Sequence, residues 1–287
     1  MVGLKHKKWL WGLLIVGLVV VVGIFGYHAQ QQKILKSKYT FTSTPTIFVH
    51  GYRGNLHSEA EMMADIQTAK IGRHQLTVIV DKKGQIHFKG HLNQRMKNPL
   101  IAVVFKDNTA GERAYANWLN QIMPLLKRKY QVQNYNAVGH SMGAVAWVLY
   151  ATAKHDGSQY PKMKKLVTIA GPFAGILGWD DAVNQNYFVK GTREPYYQSA
   201  LFQQIKRQRY NFPKNVPVLN IYGDLKDGTH SDSTVSVVSA TALESLIQQQ
   251  AQSYTQVEIT GRRAQHSALH KHNQKVNRHL INFLWGK

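Results

Sequence analysis

Hydrophobic positions change their spacing along the chain, and the first pattern is an unbroken run. From Trp9 to Tyr27 the sequence reads WLWGLLIVGLVVVVGIFGY, and no residue between Lys8 and Lys33 is formally charged. At about 1.5 Å rise per residue a helix of this length matches the roughly 30 Å of a bilayer core. The run is apolar all round, which excludes a surface helix with one buried face. Trp9, Trp11 and Tyr27 stand where interfacial aromatics belong, and Lys5, Lys7 and Lys8 flank the N-terminal end. That arrangement predicts a membrane anchor with a cytoplasmic N-terminus and an outward-facing remainder. A cleaved signal peptide is the competing expectation, but a bulky Tyr27 three residues before a cut after Ala29 disfavours it.

After the run comes a polar stretch, His28 to Thr44, expected to be a linker; residues 1–38 form the anchor unit and 39–287 the main domain. There the pattern becomes short β-branched runs alternating with amphipathic stretches. Strands are expected at Thr46–Val49, Leu76–Val80, Ile101–Phe105, Asn136–Val138, Leu166–Ile169, Val216–Ile221 and Gln256–Ile259. Helices are expected at Glu112–Tyr130, Met142–Lys154 and Asn273–Trp285. This alternation predicts an α/β fold, a mostly parallel central sheet with helices on both faces.

Composition narrows the chemistry. The 287 residues are 44% hydrophobic, enough for a large core, and contain no cysteine. That absence excludes a disulfide scaffold, a thiolate metal site and a cysteine nucleophile together. The net charge is +21, and six lysines of that excess lie in residues 1–38. A field of this sign attracts anionic polymers or surfaces. No zinc finger, basic recognition helix or RNA-binding aromatic signature accompanies it, so nucleic acid is not an expected partner.

The strongest chemical motif is Gly139-His140-Ser141-Met142-Gly143, where an apolar strand meets a small-residue helix start. In a G-x-S-x-G elbow the serine occupies a sharp, strained turn that exposes its hydroxyl above the sheet, which makes Ser141 the candidate nucleophile. A second motif, Ile47-Phe48-Val49-His50-Gly51-Tyr52, ends another strand. Its backbone N–H at Tyr52, with that of Met142 after the serine, forms the expected oxyanion hole. His50 precedes the serine, out of the chain order serine, acid, histidine, and is read as organising its loop.

The acid is expected after the strand ending near Ile221, where Asp224, Asp227 and Asp232 are available; Asp232 is favoured, with Asp224 and Asp227 as alternatives. The base is expected between the last strand and last helix, which selects His266. A metal site at His266, His270 and His272 lacks an H-E-x-x-H motif or a nearby carboxylate, so neither metal nor cofactor is expected.

The strand-HGY opening, the GHSMGA elbow, the Asp-x-x-Val acid loop and the HSALH loop before the final helix together resemble the alpha/beta-hydrolase superfamily. More narrowly the chain resembles cell-surface hydrolases of Gram-positive bacteria. The resemblance covers about residues 40–287 and implies Ser141 as nucleophile, Asp232 as acid, His266 as base and Tyr52 with Met142 as oxyanion donors. The acid loop departs from the commoner Asp-Gly-x-Val-Pro pattern by reading Asp232-Ser233-Thr234-Val235-Ser236.

The expected activity is hydrolysis of a carboxylic ester or related acyl bond in a small or lipid-like substrate at the outer cell surface. Peptidase and acyltransferase chemistry use the same triad, and a non-catalytic module binding anionic wall polymer or lipid is a further alternative. Residues 172–215, dense in aromatics from Phe173 to Tyr210, are expected to form a cap over an apolar pocket.

Overall fold

The computed structural model describes residues 3–93, 95–155 and 157–287, without the side chains of residues 3–8, 10–17, 19 and 59. Of the expected membrane span, Trp9–Tyr27, the side chains of residues 10–17 and 19 lie outside that description. Its backbone belongs to one helix, α1 (Gly3–Lys38). Among the described residues no helix is long and apolar enough to cross a membrane. The expected linker is corrected: residues 28–38 continue α1, because Gln30–Lys38 are mostly good helix formers with neither Gly nor Pro to stop them.

The chain divides into two compact units, one running through Phe41 and including Trp285–Lys287, the other Thr42–Leu284. In the first, Tyr39 and Gly286 form an antiparallel bridge.

The second unit is built on an eight-stranded sheet. Its strands are β1 (Thr46–Val49), β2 (Arg73–Val80), β3 (Ile86–Gly90), β4 (Pro99–Phe105), β5 (Asn134–His140), β6 (Lys162–Ile169), β7 (Pro217–Asp224) and β8 (Ser253–Thr260). They lie in the order β3-β2-β4-β1-β5-β6-β7-β8. Only the β2–β3 pairing is antiparallel, so the edge hairpin is the exception in an otherwise parallel sheet.

Both faces of this sheet are covered, as near-continuous apolar strands require. In β1 the alternate residues Ile47 and Val49 join one buried cluster with Leu119 and Met123 of α3 (Glu112–Tyr130) and Val145 and Val148 of α4 (Met142–Thr152). Phe48 points the other way and is equally buried, as are Ala102, Val167 and Leu219. On that face α2 (Leu56–Thr68) buries Met62, Met63 and Ile66. Lys165 there donates to the Phe283 and Leu284 carbonyls near the end of the last helix (Gln274–Trp285), satisfying two groups a helix C-terminus leaves open.

Elements without a counterpart in the expected pattern are α2, β3 and the short helices Ala200–Gln208, Val237–Thr241 and Leu243–Ile247. The region 172–215 forms loops with isolated bridges and one helix, Ala200–Gln208. Its aromatics divide: Phe173 and Phe202 are fully buried in the main core, whereas Trp179, Tyr187, Tyr196 and Tyr210 are exposed.

Candidate active site

The site forms where β5 ends and α4 begins. Ser141 sits between them at φ 54°, ψ −124°, a left-handed conformation that a non-glycine residue adopts only when its surroundings hold it. Its N–H is tied to the Ile169 carbonyl at 2.8 Å. The flanking glycines are required by space. A Cβ on Gly139 would lie 2.5 Å from the Gly143 carbonyl oxygen, and one on Gly143 would lie 2.4 Å from that of Val49. The strained turn therefore exists because β1, β5 and α4 approach to backbone contact.

His266 comes to this turn from the loop after β8. Its Nε2 lies 2.9 Å from Ser141 Oγ and its Nδ1 lies 2.8 Å from Asp232 Oδ2. Because a carboxylate can only accept, Nδ1 carries the proton and Nε2 is left to accept from the serine hydroxyl. All three side chains are largely buried. Asp232 is itself fixed: its Oδ1 accepts from the N–H groups of Thr234 and Val235 at 2.9 and 2.7 Å, and its carbonyl accepts from His266 N at 2.8 Å.

The other two aspartates are occupied elsewhere. Asp224 accepts from the Lys226 ammonium and N–H, which together hold its carboxyl below the usual range despite burial. Asp227 closes a turn on Thr229. The three histidines of the last loop also diverge. His270 donates from Nδ1 to the Ser58 carbonyl, and His272 donates to Asp65, which raises its pKa.

Tyr52 and Met142 both line the cavity that opens beside Ser141. Among the described residues neither backbone N–H donates to a protein acceptor. For Met142 this follows from its place in the first turn of α4, where N–H groups have no partner within the helix. His50 braces the strand end before Tyr52. Its Nε2 accepts from Phe105 N at 3.0 Å and its Nδ1–H donates to the Gly51 carbonyl at 2.8 Å. Burial lowers its pKa from 6.5 to about 4, so the ring is neutral at physiological pH.

The cavity measures about 460 Å³. Met142, Pro172, Ile176, Trp179 and Tyr52 make its apolar walls, and Ser58, Thr109, Glu112, Thr234 and Ser267 its polar ones. Of the aromatics expected to cap a pocket, Trp179 lines it. The loop carrying Trp179 is pinned to the Asp232 loop by Leu177 N to Thr234 O at 2.9 Å and by Ser236 Oγ to Asp181 Oδ2 at 2.5 Å.

His140 and Glu112 are given no functional role in the sequence reading. His140, inside the elbow motif, packs against both His266 and His270. Glu112 enters the cavity as the first residue of α3. The elbow motif leaves its second position open and a glutamate at a helix start is commonplace, so neither carries a sequence signal.

Comparison with known proteins agrees with this architecture. The family model described as alpha/beta hydrolase of unknown function (DUF915) matches residues 33–287. Among solved structures, a gene product of Listeria innocua superposes with a TM-score of 0.77 and is 26% identical, covering 84% of this chain and 93% of that one. A "putative cell surface hydrolase" from Lactobacillus plantarum WCFS1 superposes with a TM-score of 0.66 and is 22% identical, covering 84% of this chain and 89% of that one. A search of the curated proteins finds no match.

Proposed function

Because the chain belongs to the alpha/beta hydrolases of unknown function (DUF915), whose model spans residues 33–287, we propose that it is a serine hydrolase cleaving a carboxylic ester or related acyl bond. The observation that carries this reading is the row Ser141 Oγ, His266 Nε2 at 2.9 Å, His266 Nδ1, Asp232 Oδ2 at 2.8 Å, opening onto a cavity of about 460 Å³. Both links lie within the range for proton transfer.

In the reaction, His266 takes the Ser141 proton as Oγ attacks the acyl carbon. Asp232 keeps the imidazole in the required tautomer and stabilises the imidazolium that forms. The N–H groups of Tyr52 and Met142 meet the negative charge on the tetrahedral oxygen, and His266 then protonates the leaving group. Water, deprotonated by the same imidazole, releases the acyl group and regenerates Ser141.

The outer cell surface is the proposed location. Support comes from the apolar run Trp9–Tyr27 beside Lys5, Lys7 and Lys8, and from the name of the Lactobacillus plantarum neighbour.

The test is hydrolysis of activated esters of rising chain length by the purified full chain, with Ser141→Ala as control. Wild type is expected to turn over and to be labelled by a fluorophosphonate probe, while Ser141→Ala does neither. Equal background rates for the two proteins, without labelling, would overturn the reading and favour a non-catalytic surface module.

A further inference from the structure

Among the described residues, and apart from the histidines, the cavity beside Ser141 is lined by one formally charged side chain, Glu112. Its place in a site with an exposed tryptophan, in a chain of net charge +21, calls for a physical account.

Glu112 opens α3, and its N-cap, Gly111, offers no side chain. The carboxylate is half-buried and takes a hydrogen bond from its own N–H. Among the described residues no lysine, arginine or histidine forms an ion pair with it. Arg113, the neighbouring cation, acts favourably on it through space without pairing with it, and its Nε donates to Gln204 Oε1 at 2.7 Å. A second carboxylate, Asp180, is close enough to act unfavourably on Glu112. Burial is the largest influence on Glu112 and raises its pKa, which shows that the local partners do not offset the cost of desolvating it.

Next to Asp180 in sequence is Trp179, a residue 74% exposed that lines the same cavity. The ring meets that of Tyr52 edge-on, with centroids 6.2 Å apart. Arg53 lies over the Tyr52 ring at 5.4 Å, which leaves Trp179 as the more available π face. An exposed indole lining the same cavity as a carboxylate that forms no ion pair is an environment that favours a desolvated organic cation. It disfavours an anion and gives a neutral group no particular gain.

We propose that the Ser141 cavity selects esters whose acyl or alcohol part carries an ammonium group, with Glu112 as counter-charge and Trp179 as the π face. This rests on the serine-hydrolase reading of the site and names its substrate class.

The experiment uses the full chain and three activated esters of matched size, whose acyl chains end in a tert-butyl group, a trimethylammonium group or a carboxylate. Wild type is expected to show kcat/KM about tenfold higher for the ammonium ester than for the neutral one, and lower still for the carboxylate. In Glu112→Gln the ratio of ammonium to neutral ester is expected to fall to within about twofold, and in Trp179→Ala it falls through KM. Each ratio is internal to one protein, so partial loss of folded enzyme does not disturb it. Hydrolysis of all three esters without charge preference, or a ratio unchanged in Glu112→Gln, overturns this inference and leaves the serine-hydrolase reading intact. No hydrolysis of any of the three above Ser141→Ala overturns both.

Discussion

The imidazole of His140 packs against that of His266 with ring centroids 4.9 Å apart, and its Nε2–H donates to the His266 carbonyl at 3.1 Å. The bond acts on the backbone of the residue whose side chain touches Ser141. Together with His266 N donating to Asp232 O at 2.8 Å, it fixes both peptide groups flanking that Cα. Burial holds the His140 pKa well below the ordinary histidine value, so the ring stays neutral beside His266.

On the proposed serine-hydrolase reading His140 is therefore a positioning residue. Replacement by Leu is expected to lower kcat about 10–100-fold with little change in KM, since small displacements of a catalytic group are costly. Gln, whose amide can donate from nearly the same place as Nε2, is expected to recover most of the loss. If His140→Leu loses stability but keeps kcat per folded molecule, the ring is only packing material.

The carboxylates separate by what they touch. Asp232→Asn is expected to lower kcat by about 10⁴-fold, as the amide presents an N–H or a weaker acceptor to His266 Nδ1 and disturbs its tautomer. Asp224→Asn removes a partner of Lys226 and is expected to cost about 1 kcal/mol of stability, with activity within about threefold of wild type. A steady-state assay beside urea unfolding distinguishes them; an Asp224→Asn enzyme as impaired as Asp232→Asn would reverse the assignment.

Legibility in the sequence follows from how locally each feature is determined. The strands β1, β4 and β6 are visible because both their faces are buried and their cores read as continuous apolar runs. β3 is not, because IHFKG is a short strand at the sheet edge in which only Ile86 and Phe88 pack against the core, and those only in part. Ser141 is legible because the elbow needs two glycines at fixed offsets, and His266 because its loop lies between two recognisable elements. The choice among Asp224, Asp227 and Asp232 depends on how the chain folds back after β7, where Leu225 N bonds to Ser231 O and Asp232 N to Val235 O. No local pattern encodes that. Glu112 and Trp179 line one cavity from segments over sixty residues apart, which only the tertiary fold brings together.

Gly143 offers a test of the elbow that does not touch the reacting groups. A methyl group there would meet the Val49 and His50 carbonyl oxygens at 2.4 and 2.6 Å, both backbone atoms that cannot swing aside. Gly143→Ala is expected to cost about 3 kcal/mol or more in urea unfolding and to lower kcat in the protein that remains folded, since Met142 N–H must shift with it. Unchanged stability would mean that the approach of β1 to α4 is looser than described.

Acid sensitivity is built in through His50. The ring is fully buried, and protonation would place a hydrogen on the Nε2 that now accepts from Phe105 N–H. Its pKa is about 4 in the folded chain against an ordinary 6.5, so between these values the unfolded chain binds the additional proton. Stability therefore rises with pH from about 4 to about 6.5 and is flat, for this group, above that. A shift of this size corresponds to roughly 3 kcal/mol lost on acidifying across the window. His140, lowered by burial in the same direction, adds to the slope. Urea unfolding at pH 7.5, 6.0 and 5.0 should show a progressive fall. Gln at position 50 can still accept from Phe105 N–H but does not titrate, so His50→Gln is expected to flatten the dependence by up to about 1.4 kcal/mol per pH unit. An identical slope in wild type and His50→Gln would assign the acid sensitivity to other groups, His140 first among them.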